Sequence, residues 1–221
     1  MLWVYRFLWI ASSLGAGTLL IVASNPRREY TLPANATVAV QQGRFSLKVP
    51  AGFRVHRDAL TQMGMNDPNS PIQLIDAVRI ARGVRSSLKL ALVTVRTDML
   101  LSGEEPAMSG ERGNARLLTR VHATQLQNLS KALSNFRETR QRPIQLQGVY
   151  GLRTDYECRL THWVPLIDVP VRGFLITMPV SQTEALHAIA YCPPHRFEEY
   201  QAIFEQILNT MRLNTTAGGE R

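Results

Sequence analysis

The chain has 221 residues, 45% of them hydrophobic and 19% charged, the ordinary balance of a globular protein with one sizeable core or a core plus an appendage. The formal net charge is +8 and nearly all of it is arginine, since Lys48, Lys89 and Lys131 are the only lysines. The arginines are spread along the chain, with small clusters at Arg79, Arg82, Arg85 and at Arg137, Arg140, Arg142, and aromatic residues make up 7%. A nucleic-acid binder concentrates its charge and interleaves rings for stacking, so nucleic acid is not an expected partner. An acidic protein surface or anionic lipid headgroups suit the charge better, and a solvated basic surface suits it best.

Residues 7–24, FLWIASSLGAGTLLIVAS, carry no charge, and their length approaches the ~20 residues with which a helix crosses a bilayer. Trp3, Tyr5 and Trp9 stand where an interfacial aromatic belt would sit. Residues 1–24 are therefore read as a membrane anchor or a signal peptide cleaved after Ser24, and the long apolar run favours one uncleaved N-terminal transmembrane helix. The flanking charges, Arg6 against Arg27 and Arg28, are nearly even and leave its orientation open.

Residues 25–42, polar with two prolines, read as a tether. In the next stretch Phe45, Leu47 and Val49 alternate with Ser46 and Lys48, a half-buried strand turned by Pro50 and Gly52. A loop is expected over 58–71, then two strands, IQLIDAVRIA (72–81) and SLKLALVTVR (87–96), then a second loop over 98–113. Leu118, Val121, Leu126, Leu129, Leu133 and Phe136 recur at helical spacing and predict a helix over 114–137. His122 borders that stripe, so a packed histidine is expected there rather than a ligand.

Three strand-like runs follow: IQLQGVYGLRTDYECRL (144–160), VPVRGFLITMPV (169–180) and EALHAIAYC (184–192). Turns as short as THWVPLID and SQTE make them antiparallel neighbours. A closing helix starts near Pro194, with Glu198 and Glu199 in its first turn and Phe197, Tyr200, Phe204, Ile207 and Met211 on its inward stripe. Residues 214–221 read as a disordered tail.

Chemistry is sparse. No GxSxG, HExxH, P-loop or GxGxxG pattern occurs. Asp155 and Glu157 share one face of a strand beside Arg153 and Arg159, and a solvated or paired polar face explains them. An enzyme would have to use Asp155, Glu157 and His187 or His195. Cys158, His162, Cys192 and His195 supply the ligand types of a structural zinc site, although their spacings are not those of a finger and no CxxC is present. Counting along the hairpins brings both cysteines to one end of the sheet, two strands and so ~10 Å apart, beyond the ~7 Å that a disulfide spans. Two unlinked buried thiols are the preferred reading, ahead of a disulfide and of zinc. No catalytic residue, metal or cofactor is expected.

The order of a strand with Pro-Ala-Gly-Phe, a strand pair, a long helix, a meander and a terminal amphipathic helix resembles the PsbP/DcrB-like family. The matching stretches are FSLKVPAGF, IQLQGVYGLRTDYE and LHAIAYCPPHRFEEYQAIFEQILNTMRL, within residues 43–213. The resemblance implies an α+β domain with an antiparallel sheet in an α/β/α sandwich, and a non-enzymatic accessory or envelope protein. The expectation is thus a single-pass protein of the bacterial inner membrane, its domain extracytoplasmic, that uses residues 7–24 in the bilayer and binds another protein there. A small-ligand or lipid-binding envelope protein is the alternative.

Overall fold

Apolar–polar alternation builds β-strand 45–49, whereas the long central strands are apolar on both faces, and the computed structural model describes the chain within residues 30–31, 36–39, 44–56, 70–83, 85–100, 111–161 and 168–213. The elements run β1 (Tyr30–Thr31), β2 (Ala36–Ala39), β3 (Phe45–Val49), β4 (Arg54–His56), β5 (Ile72–Ala81), β6 (Ser87–Val95), α1 (Thr97–Leu100), α2 (Glu111–Ala132), β7 (Ser134–Leu146), β8 (Val149–Thr161), β9 (Asp168–Pro179) and β10 (Glu184–Cys192). A 3-10 turn (Pro194–Arg196), α3 (Phe197–Thr210) and β11 (Arg212–Leu213) close the described chain. The main sheet has the order β1-β4-β5-β6-β10-β9-β8-β7, a second sheet has the order β11-β3-β2, and the pairings are antiparallel.

Successive residues of a strand point to opposite faces, so the main sheet has two cores. On one face Leu88, Leu90, Phe174, Ile176, Leu186 and Ala188 meet Phe197, Tyr200, Phe204 and Ile207 of α3, together with Phe45, Leu47 and Val49 of β3. Phe204 anchors this layer, edge-on to Phe53 at 6.4 Å and to Phe174 at 6.3 Å. On the other face α2 lays Val121 on Ala91, Val93 and Ala185, and Leu126 on Leu175 and Ile189. This is a mixed α+β fold with the sheet covered on both faces, as the sequence suggests.

Gly173 lets two strands and a ring meet. A Cβ there would lie against the Ala190 carbonyl and 2.6 and 2.7 Å from atoms of the Tyr156 phenol. Tyr156, its cross-strand partner, covers the bare backbone and donates its hydroxyl to the Ala190 carbonyl at 3.0 Å.

Several expectations need correction. The helix predicted over 114–137 ends at Ala132, and β7 begins at Ser134, with Asn135 (φ 52°) at the register irregularity between Ser134 and Arg137. Phe136 thus belongs to a strand, where it stacks on Tyr156 at 5.1 Å. The run 144–160 is not one strand: Gln147 (φ 52°) and Gly148 (φ 81°) turn a tight hairpin between β7 and β8. Strand 45–49 lies in the small sheet. Two stretches of the segment read as a tether, Tyr30–Thr31 and Ala36–Ala39, pair with β4 and β3. A short helix, α1, occupies the start of the loop expected over 98–113. The apolar segment 7–24 and the tail 214–221 lie outside the described residues; among those residues no helix is long and apolar enough to cross a membrane.

Candidate functional site

The strand registers decide most of the candidate chemistry. Cys158 stands opposite Val171 and Cys192 opposite Arg172. Residues 171 and 172 are neighbours on β9 and so face opposite ways, which puts the two cysteines on opposite faces of the sheet. Cys192 packs in the α3 layer and Cys158 under the α2 side. Both are free and buried, and burial pushes each thiol up to about 11. His195 is exposed on the 3-10 turn, and His162 lies outside the described residues. Cys158 and Cys192 therefore cannot share an ion, and no group of three or more metal-ligating side chains forms among the described residues.

The carboxylates of β8 are occupied by arginines. Asp155 accepts from Nε of Arg153 at 2.6 Å, and Glu157 pairs with Arg137 at 2.7 Å. Arg153, almost fully buried, also reaches Glu205 of α3 at 2.8 Å and lies over the Phe174 ring at 4.4 Å. Asp155 thus faces α3, while His187 faces α2 and His195 is on the turn before α3. The structure does not bring the carboxylates and histidines together.

His122 is more than a boundary residue. It is fully buried, its Nδ1 2.7 Å from Oγ1 of Thr177 and its Nε2 2.8 Å from Oγ1 of Thr154. Thr177 also meets Nδ1 of His187 at 3.0 Å, and Nε2 of His187 has no partner. A lone pair is cheaper to bury unpaired than an N–H, which fixes the proton order. His187 Nδ1–H donates to Thr177, Thr177 donates to His122 Nδ1, and His122 Nε2–H donates to Thr154. Burial holds both rings neutral, lowering His122 to about 4 and, with a second push from His122, lowering His187 to about 3. Thr154 and Thr177 were invisible as partners in the sequence, where only strand register reveals them.

The exposed apolar surface gathers at one end of the main sheet. Val149, Tyr150 and Val180 are 41%, 71% and 38% exposed. They sit where the β7–β8 turn and the β9–β10 turn come side by side. On the α2 side of this ridge is a cleft of about 430 Å³ walled by Leu117, Leu118, Val121, Val95 and Ala185. On the α3 side is a cleft of about 210 Å³ walled by Leu146, Met178, Leu186, Met211 and Leu213. Val149, Pro179 and Val180 line both. The rim is nearly uncharged, since Glu184 is paired with Arg44 at 3.1 Å and its neighbours are Asn114, Ser181 and Gln182. Gln147 braces the second cleft, donating to the carbonyls of Leu208 at 2.8 Å and Met211 at 2.7 Å at the end of α3.

An antiparallel α+β sandwich with an apolar sheet end and no assembled catalytic set among its described residues is the class these features define. No protein-family model matches the sequence, and no curated protein matches it. In fold the chain is similar to cyanobacterial PsbP from Synechocystis, with 8% identity, a TM-score of 0.45, and 83% of this chain and 94% of that one covered. It is similar to LpqN of Mycobacterium tuberculosis, described as involved in cell envelope biogenesis, with 11% identity, a TM-score of 0.44, and 88% and 95% covered. A third is the Saccharomyces cerevisiae Ran-binding protein Mog1p, with 12% identity, a TM-score of 0.41, and 82% and 96% covered.

Proposed function

We propose that this protein is a non-catalytic accessory module of the bacterial envelope that binds another protein through the apolar end of its main sheet. The observation that carries the reading is the ridge of Val149, Tyr150, Pro179 and Val180 with an apolar cleft on each side. An exposed apolar patch with a polar rim marks an interaction site. Two clefts sharing one ridge fit a partner surface that presents an apolar side chain to each, and the nearly neutral rim asks for few charges in return. Strand addition at β7, which ends the main sheet on one side among the described residues, is discouraged by Arg137, Arg140, Arg142 and Pro143 along it and by its two register irregularities. Residues 7–24, as a membrane anchor, would hold the module at the inner membrane, with the domain on the extracytoplasmic side.

A photo-crosslinker in place of Tyr150 tests the reading in the full chain in its native membrane. The expected result is a discrete protein adduct, absent when the crosslinker replaces the exposed Gln127 of α2 and lost when Val180→Asp is added. Equal labelling at both positions, or none at Tyr150, overturns it. Alkaline-phosphatase activity of a C-terminal fusion reports the extracytoplasmic placement, and green fluorescence from the corresponding fusion would contradict it.

The larger cleft supports a second reading, a small apolar ligand or lipid between α2 and the sheet end, because about 430 Å³ falls in the range of ligand sites. Leu118→Trp fills that cleft. It would remove a co-purifying lipid in native mass spectrometry under this reading and leave the Tyr150 adduct intact under the first.

A further inference from the structure

Opposite the apolar end, the α2-side face of the main sheet carries an unusual row. The register sets Arg79 of β5 directly opposite Lys89 of β6, so two basic residues share one level of adjacent strands. Like charges directly across a pair of strands destabilise a sheet, and more so when half-buried. Among the described residues no carboxylate pairs with either Arg79 or Lys89. The neighbours are hydroxyls instead. Arg79 gives Nε–H to the Ser87 hydroxyl at 3.0 Å and an Nη2 hydrogen to the Tyr191 hydroxyl at 3.3 Å. Each hydroxyl accepts from the guanidinium, which leaves its own hydrogen to give. One level of β5 and β6 thus sets a guanidinium beside an ammonium, with two hydroxyls at the guanidinium whose own hydrogens remain to be given.

We propose that this cluster is a binding site for a compact tetrahedral oxyanion of the phosphate class, held by Lys89 and Arg79 and oriented by the hydroxyls of Ser87 and Tyr191. A dianion with three terminal oxygens satisfies two positive charges and several converging donors at once. The repulsion across the Arg79–Lys89 pair then becomes attraction to a shared anion. Burial, and next the facing guanidinium, lower the Lys89 ammonium to about 8, the mark of a cation short of a counter-charge. The site is separate from the sheet end of the proposed function and stands without it.

Isothermal titration of the full chain in non-ionic detergent, at matched ionic strength in chloride, measures it. Inorganic phosphate and a glycerol phosphodiester, the soluble headgroup of an anionic phospholipid, are titrated separately. Saturable one-to-one binding of inorganic phosphate is expected, weakened roughly tenfold or more by Lys89→Met and kept by Lys89→Arg. Tighter binding of the diester assigns the source of the anion to lipid, and tighter binding of inorganic phosphate to solution. Lys89→Met also relieves the repulsion, so its melting temperature without phosphate is expected to be at or above that of the unsubstituted protein, which separates lost binding from lost folding. No heat from either ligand, or equal affinity in Lys89→Met, overturns the proposal.

Discussion

Acid should unfold this protein through the two buried histidines. In the unfolded chain each titrates near 6.5; in the fold His122 stays neutral to about 4 and His187 to about 3. The native pKa values are lowered, so neither histidine penalises the fold well above pH 6.5. As pH falls below 6.5 the unfolded state takes up protons that the native state refuses, and stability falls. The loss deepens down to about 4, where His122 begins to accept a proton in place. Each pH unit below 6.5 withdraws about 1.4 kcal/mol per histidine, so at about pH 5 each removes ~2 kcal/mol and the pair ~4 kcal/mol. The total stability of a domain is ~5–15 kcal/mol, so this is a large fraction of it. Asp76 works in the opposite sense: burial raises its pKa, so the fold gains from it on acidification. Urea unfolding at about pH 7.5 and about pH 5 measures the difference, with a double His122→Asn and His187→Asn variant as the non-titrating reference. The variant starts less stable but should lose ~4 kcal/mol less between the two pH values. An equal pH dependence in both proteins would refute the reasoning.

Four further outcomes follow from single contacts. Gly173→Ala drives a methyl into the Ala190 carbonyl and the Tyr156 ring, and should lower stability by about 3 kcal/mol or prevent folding, read as the urea midpoint. Gln147→Ala leaves the carbonyls of Leu208 and Met211 without their amide donor and should cost about 1–2 kcal/mol in the same assay. Arg153→Met strands the buried Asp155 carboxylate, a loss of about 3–5 kcal/mol that Asp155→Asn in the same background should partly restore. Neither cysteine should react with iodoacetamide in the native protein near pH 8, and mass spectrometry should show both alkylated once urea unfolds it, because burial holds both thiols at about 11.

Strands with a clear period and a clear stop were legible residue by residue. Ile72–Ala81 and Glu184–Cys192 coincide with the expected runs, since alternation or an apolar stretch ends there at a glycine, a proline or a polar turn. The long helix was legible in type but not in its end. Leu133 and Phe136 extend its spacing by coincidence, because a strand leaving under the helix buries its Phe136 against the same layer. The sequence-based count already separated the cysteines by two strands. It missed that they face opposite sides, a matter of one residue of register; Asp155 and His187, opposite Phe174 and Thr177 of β9, are likewise an odd number of positions apart and so on opposite faces.

The apolar sheet end was hidden for a related reason. Reading 144–160 as one strand buries Val149 and Tyr150 in its middle, where they look like ordinary core. The Gln147–Gly148 turn instead makes them the first residues of β8, and the β9–β10 turn delivers Pro179 and Val180 to the same level from the other side. Neither segment is unusual alone; two hairpins ending at one height make the ridge. Gly151 permits that closeness, since a Cβ there would meet Met178 and the Thr177 carbonyl at 2.7 Å. A side chain at Gly151 would part β8 from β9 where the ridge is built, so Gly151→Ala should abolish crosslinking at position 150 at a smaller loss of stability than Gly173→Ala, where the backbone carbonyl is closer still and the rigid Tyr156 ring stands in place of the flexible Met178. Crosslinking retained in a folded Gly151→Ala protein would show that partner capture does not depend on the joined hairpin ends.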